Sequence, residues 1–240
     1  MKKIFLIPNL FTLCNLMCGY WSITFALKGN FMQASVMIFL SIIFDAFDGR
    51  VARITRTTSK FGLEFDSIAD VVSFGLAPAA IIYQLLASDA DAEKFAWWGG
   101  FIYAACGALR LARYNIQSSS EEKEDFTGLP IPCAAGMVAS FVLFNLKYDF
   151  AFNFYMIIFI VIPVALLMVS TIRYSSFQIN FQNRKPLEYF VAAVVLISLL
   201  VRFPHQVLLF VFSCYILFGL FQSVRHKIFK TASIQLETKN

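Results

Sequence analysis

Residues 31–50 read FMQASVMIFLSIIFDAFDGR, a largely apolar run that ends in two aspartates, a glycine and an arginine. A helix of about 20 apolar residues crosses the hydrocarbon core of a bilayer. Backbone groups in lipid must be hydrogen-bonded within the membrane-spanning element, and a helix meets this condition by itself. The stretch therefore predicts a transmembrane helix. Its acidic end indicates a functional site, because charged side chains inside a membrane are costly.

Apolar runs of similar length recur on both sides of this stretch, separated by short polar breaks. The predicted spans are residues 5–27, 31–50, 63–87, 94–114, 130–147, 151–171, 187–202 and 205–223. None shows the alternation of roughly ten residues that is typical of a membrane β-barrel strand. We predict an all-α, polytopic transmembrane helical bundle of about eight helices, a six-helix catalytic core plus two. We expect residues 1–240 to form one integral-membrane domain, with a catalytic motif at 45–70 and less specific helices at 150–230.

The composition of the whole chain agrees with this fold class. Of the 240 residues, 59% are hydrophobic and 15% are charged, and the mean hydropathy is +0.69. A soluble domain carries about a quarter charged residues. The 28 phenylalanines also exceed what a single water-soluble core of this size can bury. An ordinary cytosolic enzyme, a secreted disulfide scaffold and a disordered chain are therefore excluded.

Basic residues are distributed unevenly between the two ends of the predicted helices. With the N-terminus placed in the cytoplasm, all but four of the 20 Lys and Arg residues fall on the inner side. Loops rich in Lys and Arg stay in the cytoplasm. We therefore expect both ends of this sequence, and the acidic ends of the helices with any active site there, on the cytoplasmic side. The bacterial inner (cytoplasmic) membrane is the expected location. The net charge of +5 reflects this asymmetry and does not indicate nucleic acid binding.

Four aspartates lie where the second and third predicted helices meet the inner surface: Asp45, Asp48, Asp66 and Asp70. The members of each pair are three or four residues apart, which places both carboxylates on one helix face. With a rise of about 1.5 Å per residue, the two helices bring all four carboxylates to a similar depth. Clustered carboxylates repel one another unless a cation lies between them. Hard oxygen ligands without histidine or cysteine favour Mg²⁺ or Mn²⁺, with room for two ions, and Ca²⁺ also suits such a site.

The residues around the aspartates suit a phosphorylated substrate. Gly49, Ala52 and Gly62 have no bulky side chain that would keep a diphosphate away from the helices, and Arg53 offers positive charge. A pair of metal ions stabilises an in-line displacement at phosphorus. The structural alternative is that neighbouring arginines anchor the interface or pair with the first two aspartates. That alternative does not account for four acids on two adjacent helices.

The segment from Asp45 to Asp70 fits the pattern D-x2-D-G-x2-A-R-x8-G-x3-D-x3-D at all eight fixed positions. By this motif the chain resembles the CDP-alcohol phosphatidyltransferase family. The resemblance implies transfer of a phosphatidyl group from CDP-diacylglycerol to an alcohol, with release of CMP. It implies that all four aspartates bind divalent metal and that Asp70 is also the general base. It further implies a set of residues that hold the cytidine diphosphate: Gly49, Ala52, Arg53 and Gly62.

Further segments, at residues 8–19, 70–78, 108–115 and 126–132, resemble the branch of the family that uses L-serine. This implies that CDP-diacylglycerol and L-serine are the substrates and that phosphatidylserine and CMP are the products. It also implies a homodimer surrounded by membrane lipids. Two polar residues would contact the nucleotide, namely Asn9 and Thr12. Three would contact the serine carboxylate or a phosphate, namely Arg110, Arg113 and Asn115. Interfacial anchoring is the structural alternative for these residues.

Two other functions stay open at this point. Another acceptor alcohol would undergo the same chemistry, such as glycerol 3-phosphate, inositol, inositol phosphate or choline, and Arg110 and Arg113 would then bind its phosphate. An ion-coupled transporter also buries carboxylates among helices. Transporter sites lie near the bilayer midplane and often between repeated halves. The aspartates here lie near the inner surface and no internal repeat is visible, so the transporter is the more distant alternative.

Overall fold

All regular structure in the described part of the chain is helical, which confirms the predicted fold class. The computed structural model describes residues 6–55, 59–88, 92–119, 128–148, 154–172, 194 and 198–237. We number the α-helices of these residues α1 Leu6–Leu27, α2 Phe31–Thr55, α3 Lys60–Asp70, α4 Ala77–Ala87, α5 Glu93–Ser119, α6 Ile131–Tyr148, α7 Phe154–Val169 and α8 Pro204–Glu237.

Five helical stretches are long and apolar enough to cross a bilayer, namely Asn9–Leu27, Phe31–Val51, Lys60–Ala87, Ile131–Tyr148 and Pro204–Ser223. They coincide with five of the predicted spans. α5 forms at the predicted span 94–114 but is not among the five, because tryptophans, glycines and basic residues dilute its apolar residues. α7 contains a shorter apolar stretch, Ile158–Val169. Of the predicted span 187–202, residues 194 and 198–202 are described and helical, and the rest lies outside the described residues.

The span Lys60–Ala87 is continuous, but its backbone changes type in the middle. A π-helical segment, Val71–Leu76, joins α3 to α4 and begins directly after Asp70. π turns inside α-helices are rare and occur frequently at functional sites. The predicted span 63–87 is thus confirmed as a span, although it is not a uniform α-helix.

The core is centred on this span. Phe74 of the π segment is fully buried, as are Ile38 of α2, Tyr103 of α5 and Ile131 of α6. The π segment contacts α1, α2, α5 and α6. The residues that follow Asp70 are therefore held from four sides, and the backbone around this aspartate is fixed by tertiary packing.

Candidate active site

Three of the four predicted aspartates form one acidic cluster, which we define as Asp45, Asp48 and Asp66. One carboxylate oxygen from each lies within 4.8 Å of the others. α2 supplies the first two and α3 the third, so the cluster forms where α2 approaches its end and α3 begins. We call this end of the bundle the aspartate end.

The acidic cluster fits a divalent cation. Asp48 is only 6% exposed. Asp66 Oδ1 is buried and, within the described residues, has no hydrogen-bond partner. A buried carboxylate oxygen without a partner is destabilising, and neighbouring negative charges add repulsion. A hard cation coordinated by these oxygens would remove both effects, so the donors fit Mg²⁺, Mn²⁺ or Ca²⁺.

Asp70 lies one helical turn beyond Asp66 and is not part of the group of three. It is 8% exposed. Its Oδ1 accepts a hydrogen bond of 3.2 Å from Nδ2 of Asn15, on α1. Its charge is close enough to interact with the acidic cluster. The structure thus brings three predicted metal ligands together and places the fourth against an amide, so metal binding by Asp70 stays a prediction.

Two predicted nucleotide ligands lie beside these aspartates on α1. Thr12 is buried, and its Oγ1 donates a hydrogen bond of 2.9 Å to Oδ2 of Asp48. Asn9 is half-buried, and its Oδ1 is 3.5 Å from the position that a Cβ on Gly62 would occupy. Asn9 and Gly62 are therefore neighbours, as a shared nucleotide site requires. The hydroxyl of Thr12 orients an aspartate, a contact that the sequence alone did not predict.

The glycines of the motif differ in their surroundings. A Cβ on Gly49 would have no heavy atom within 4 Å, so the space beside α2 is open there. Gly62 lies in the first turn of α3, where its N–H donates to Oγ of the N-cap residue Ser59 at 3.0 Å. The backbone of Ala52 and Arg53 belongs to α2. Their side chains lie outside the described part of the structure.

Arg110 extends from α5 toward the aspartates. Its guanidinium lies over the ring of Tyr114, with Cζ 5.1 Å from the ring centroid. The carboxyl groups of Asp45 and Asp70 are among the ionisable groups in its surroundings. Binding of the acceptor by Arg110 stays a prediction.

The other two predicted acceptor residues contact neighbouring helices. Arg113 Nη1 donates to the backbone oxygens of Val169 at 3.0 Å and Ser170 at 3.4 Å, at the end of α7. Carbonyls at a helix C-terminus lack partners within the helix, so this contact stabilises the end of α7. Asn115 Nδ2 donates to Oγ of Ser67 at 2.9 Å, which connects α5 to α3 beside the acidic cluster.

Asn15 belongs to the site and was not among the predicted site residues. Its side chain is fully buried and contacts Asp70. It follows Thr12 by three residues, so both point from the same face of α1 toward an aspartate. That spacing of two polar residues within an apolar span is the signal that would have identified it.

The sequence of this chain is similar to those of a known protein family and of several characterised proteins. The family described as CDP-alcohol phosphatidyltransferase matches residues 5–169, which include α1 to α7. A CDP-diacylglycerol–serine O-phosphatidyltransferase of Helicobacter pylori strain J99 is 37% identical over 221 residues, 91% of each chain. One of Methanocaldococcus jannaschii is 36% identical over 225 residues, 93% of this chain and 97% of the relative. An archaetidylserine synthase of Methanothermobacter thermautotrophicus is 36% identical over 170 residues, 70% of this chain and 69% of the relative.

Proposed function

Because the chain belongs to the CDP-alcohol phosphatidyltransferase family, we propose that it transfers the phosphatidyl group of CDP-diacylglycerol to L-serine, giving phosphatidylserine and CMP. The observation that carries the proposal is the acidic cluster, whose oxygens lie within 4.8 Å of one another on two helices with the spacing of the motif. Serine as the acceptor is supported by relatives that match 91% or more of this chain and are named for that substrate. Family membership argues against the ion-coupled transporter.

Asp70 is the general base in this proposal. The serine hydroxyl gives its proton to Asp70, and its oxygen forms a bond to the phosphatidyl phosphorus. The bond between that phosphorus and the CMP oxygen breaks, and CMP leaves. When bound to the acidic cluster, with Asp70 as a further ligand, one or two Mg²⁺ or Mn²⁺ ions would neutralise charge on the diphosphate and the departing CMP. Burial of Asp70 limits competition from water during the proton transfer.

The two substrates are assigned to different sets of residues around the aspartates. Arg110 binds the serine carboxylate, since it is the predicted acceptor residue whose charge reaches Asp70. Arg113 and Asn115 hold α5 in place beside it and complete the acceptor side. The cytidine diphosphate is assigned to the open side of α2 and the start of α3, with the contacts made by Asn9, Gly49, Ala52, Arg53 and Gly62.

The aspartate end faces the cytoplasm in this proposal, and the protein lies in the bacterial inner membrane. The excess of Lys and Arg on that side supports the orientation. CDP-diacylglycerol enters from the bilayer with its acyl chains in lipid, and serine arrives from the aqueous side.

A homodimer is proposed on the family resemblance, and light scattering of the purified protein in detergent would test it.

The decisive experiment is a CMP-release assay with the purified protein, CDP-diacylglycerol and a panel of acceptors. We expect release with L-serine, its loss on adding a chelator, and its return with Mg²⁺ or Mn²⁺. Asp70→Asn should lower the rate by about 10²–10⁴-fold, the usual contribution of a general base. Glu64→Gln is the matched control, because Glu64 is an exposed carboxylate on the same helix. If CMP is released with inositol, glycerol 3-phosphate or choline but not with serine, that alcohol is the acceptor. If no alcohol gives release, the proposed function is wrong.

A further inference from the structure

We propose that Asn15 is the positioning residue of Asp70: its side-chain amide holds one carboxylate oxygen, so that the other is presented to the acceptor hydroxyl. This inference rests on the proposed function, in which Asp70 is the base. It concerns a residue of α1 that lies outside the aspartate motif of α2 and α3.

The contact is buried and is made to one of the two carboxylate oxygens. Asn15 is 0% exposed, and its Nδ2 donates to Asp70 Oδ1 at 3.2 Å. A hydrogen bond to an ionised acceptor in a poorly solvated environment is stronger than a neutral one. A carboxylate is planar, so fixing Oδ1 also fixes the direction of Oδ2. The amide therefore determines which oxygen of Asp70 remains for the reacting proton.

Asn15 is itself fixed by two other helices. Its backbone oxygen accepts hydrogen bonds from Ser41 Oγ at 3.2 Å and from Ser73 Oγ at 2.9 Å. Both serines are fully buried. Ser41 lies on α2 and Ser73 on the π segment, three residues after Asp70. A single carbonyl thus connects α1, α2 and the π segment that directly follows Asp70, so the Asn15 amide and the Asp70 carboxylate are held at fixed positions relative to each other.

These hydrogen bonds require the backbones of α1 and the π segment to pack closely. Gly19 lies one turn after Asn15, and a Cβ there would come within 2.7 Å of Ser73 Cα. The π segment therefore packs directly on the surface of α1. Any residue larger than glycine at position 19 would push Ser73 away from the Asn15 carbonyl.

Packing alone does not explain an asparagine at position 15. Its Oδ1 is buried and, in the part of the chain that the structure describes, accepts no hydrogen bond. A buried acceptor without a partner destabilises a protein and calls for an explanation. Leucine has a similar volume and would avoid this penalty. The amide donor toward Asp70 is the property of asparagine that leucine lacks.

The test compares Asn15→Leu with Ser22→Ala in the CMP-release assay with L-serine. Ser22 is a matched control, because it is a fully buried polar residue of α1 whose Oγ donates to Ala34 O at 2.8 Å, away from the aspartates. We expect Asn15→Leu to lower kcat by about 10–100-fold, the range seen when residues that orient site ligands are removed. KM for both substrates should change less than about twofold, because ground-state binding is retained. Ser22→Ala should lower the melting temperature and leave kcat of the folded protein unchanged.

A double variant separates positioning from general packing. If Asn15 acts through Asp70, Asn15→Leu should lower the residual rate of Asp70→Asn by less than about twofold, because the effects of residues that act as one unit are not additive.

Independent losses of rate in the double variant would overturn the inference. So would a kcat of Asn15→Leu within twofold of wild type, or a rise in KM for CDP-diacylglycerol at unchanged kcat. If Asn15→Leu does not fold, Asn15→Ala decides by the same criteria, since it removes the donor without adding bulk or charge. A wild-type protein without serine-dependent CMP release would instead overturn the proposed function, and the inference with it.

Discussion

The hydroxyl of Thr12 donates a hydrogen bond of 2.9 Å to Oδ2 of Asp48, across the contact between α1 and α2. Asp48 is a member of the acidic cluster, and Thr12 is buried beside it. The hydroxyl occupies one lone pair of Oδ2 and fixes the carboxylate plane. α1 therefore shapes the candidate metal site although it supplies none of the three clustered carboxylates.

Thr12→Val should weaken metal binding. The substitution keeps the shape of the side chain and removes the donor, so Asp48 loses one of the contacts that orient its carboxylate. We expect the Mg²⁺ or Mn²⁺ concentration for half-maximal CMP release to rise about 10–100-fold, as for other residues that orient metal ligands. Thr24→Val is the control, since Thr24 Oγ1 bonds only the nearby Trp21 O in the described structure, at 2.8 Å. A higher KM for CDP-diacylglycerol at an unchanged metal requirement would show that Thr12 contacts the nucleotide instead.

Asp66→Asn should have opposite effects on stability without and with metal. Without metal, the substitution removes one of three mutually repelling carboxylates, so the melting temperature should rise. With millimolar Mn²⁺, the wild-type protein should gain stability because the ion binds only the folded state, and the variant should gain little. Thermal unfolding in detergent, with and without Mn²⁺, measures both. Equal stabilisation of wild type and variant by Mn²⁺ would exclude Asp66 as a ligand.

The sequence predicted the parts of the fold that depend on composition and spacing. Apolar runs of bilayer length identified the spans, and the three- and four-residue spacings placed the aspartates on common helix faces. The meeting of Asp45, Asp48 and Asp66 followed from these two facts together. These features can be predicted without knowing which side chains that are distant in sequence contact each other.

The parts that were not predicted depend on tertiary contacts. The π segment after Asp70 has no periodic signature of its own, because one extra residue in a turn does not change an already apolar pattern. The partners of Arg113 lie 56 and 57 residues further along the chain. From sequence, a basic residue near the inner interface is equally consistent with substrate binding, anchoring and capping of another helix.

Gly19→Ala should impair both stability and catalysis. A methyl group at this position would meet the side chain and backbone of Ser73, and overpacking of this kind destabilises a core by about 1–3 kcal/mol. Displacement of the π segment would also loosen Asp70 and lower kcat. Gly75→Ala is the matched control in the same segment, because the nearest atom to its Cβ would be Val71 Cγ1 at 4.0 Å. If both variants behave alike in thermal unfolding and CMP release, the close contact at Gly19 is not what holds the segment.

Substitution of Arg110 should affect serine binding, whereas substitution of Arg113 should affect thermal stability. Arg110→Gln removes the guanidinium whose charge reaches Asp70, so KM for serine should rise about tenfold or more, as expected for a lost charge-assisted contact. Arg113→Gln removes the donor to Val169 O at the end of α7, so the melting temperature should fall while KM for serine changes less than about threefold. Kinetics with varied serine and thermal unfolding of both variants provide the measurements. The reverse pattern would make Arg113 the acceptor ligand and reduce Arg110 to a packing role against Tyr114.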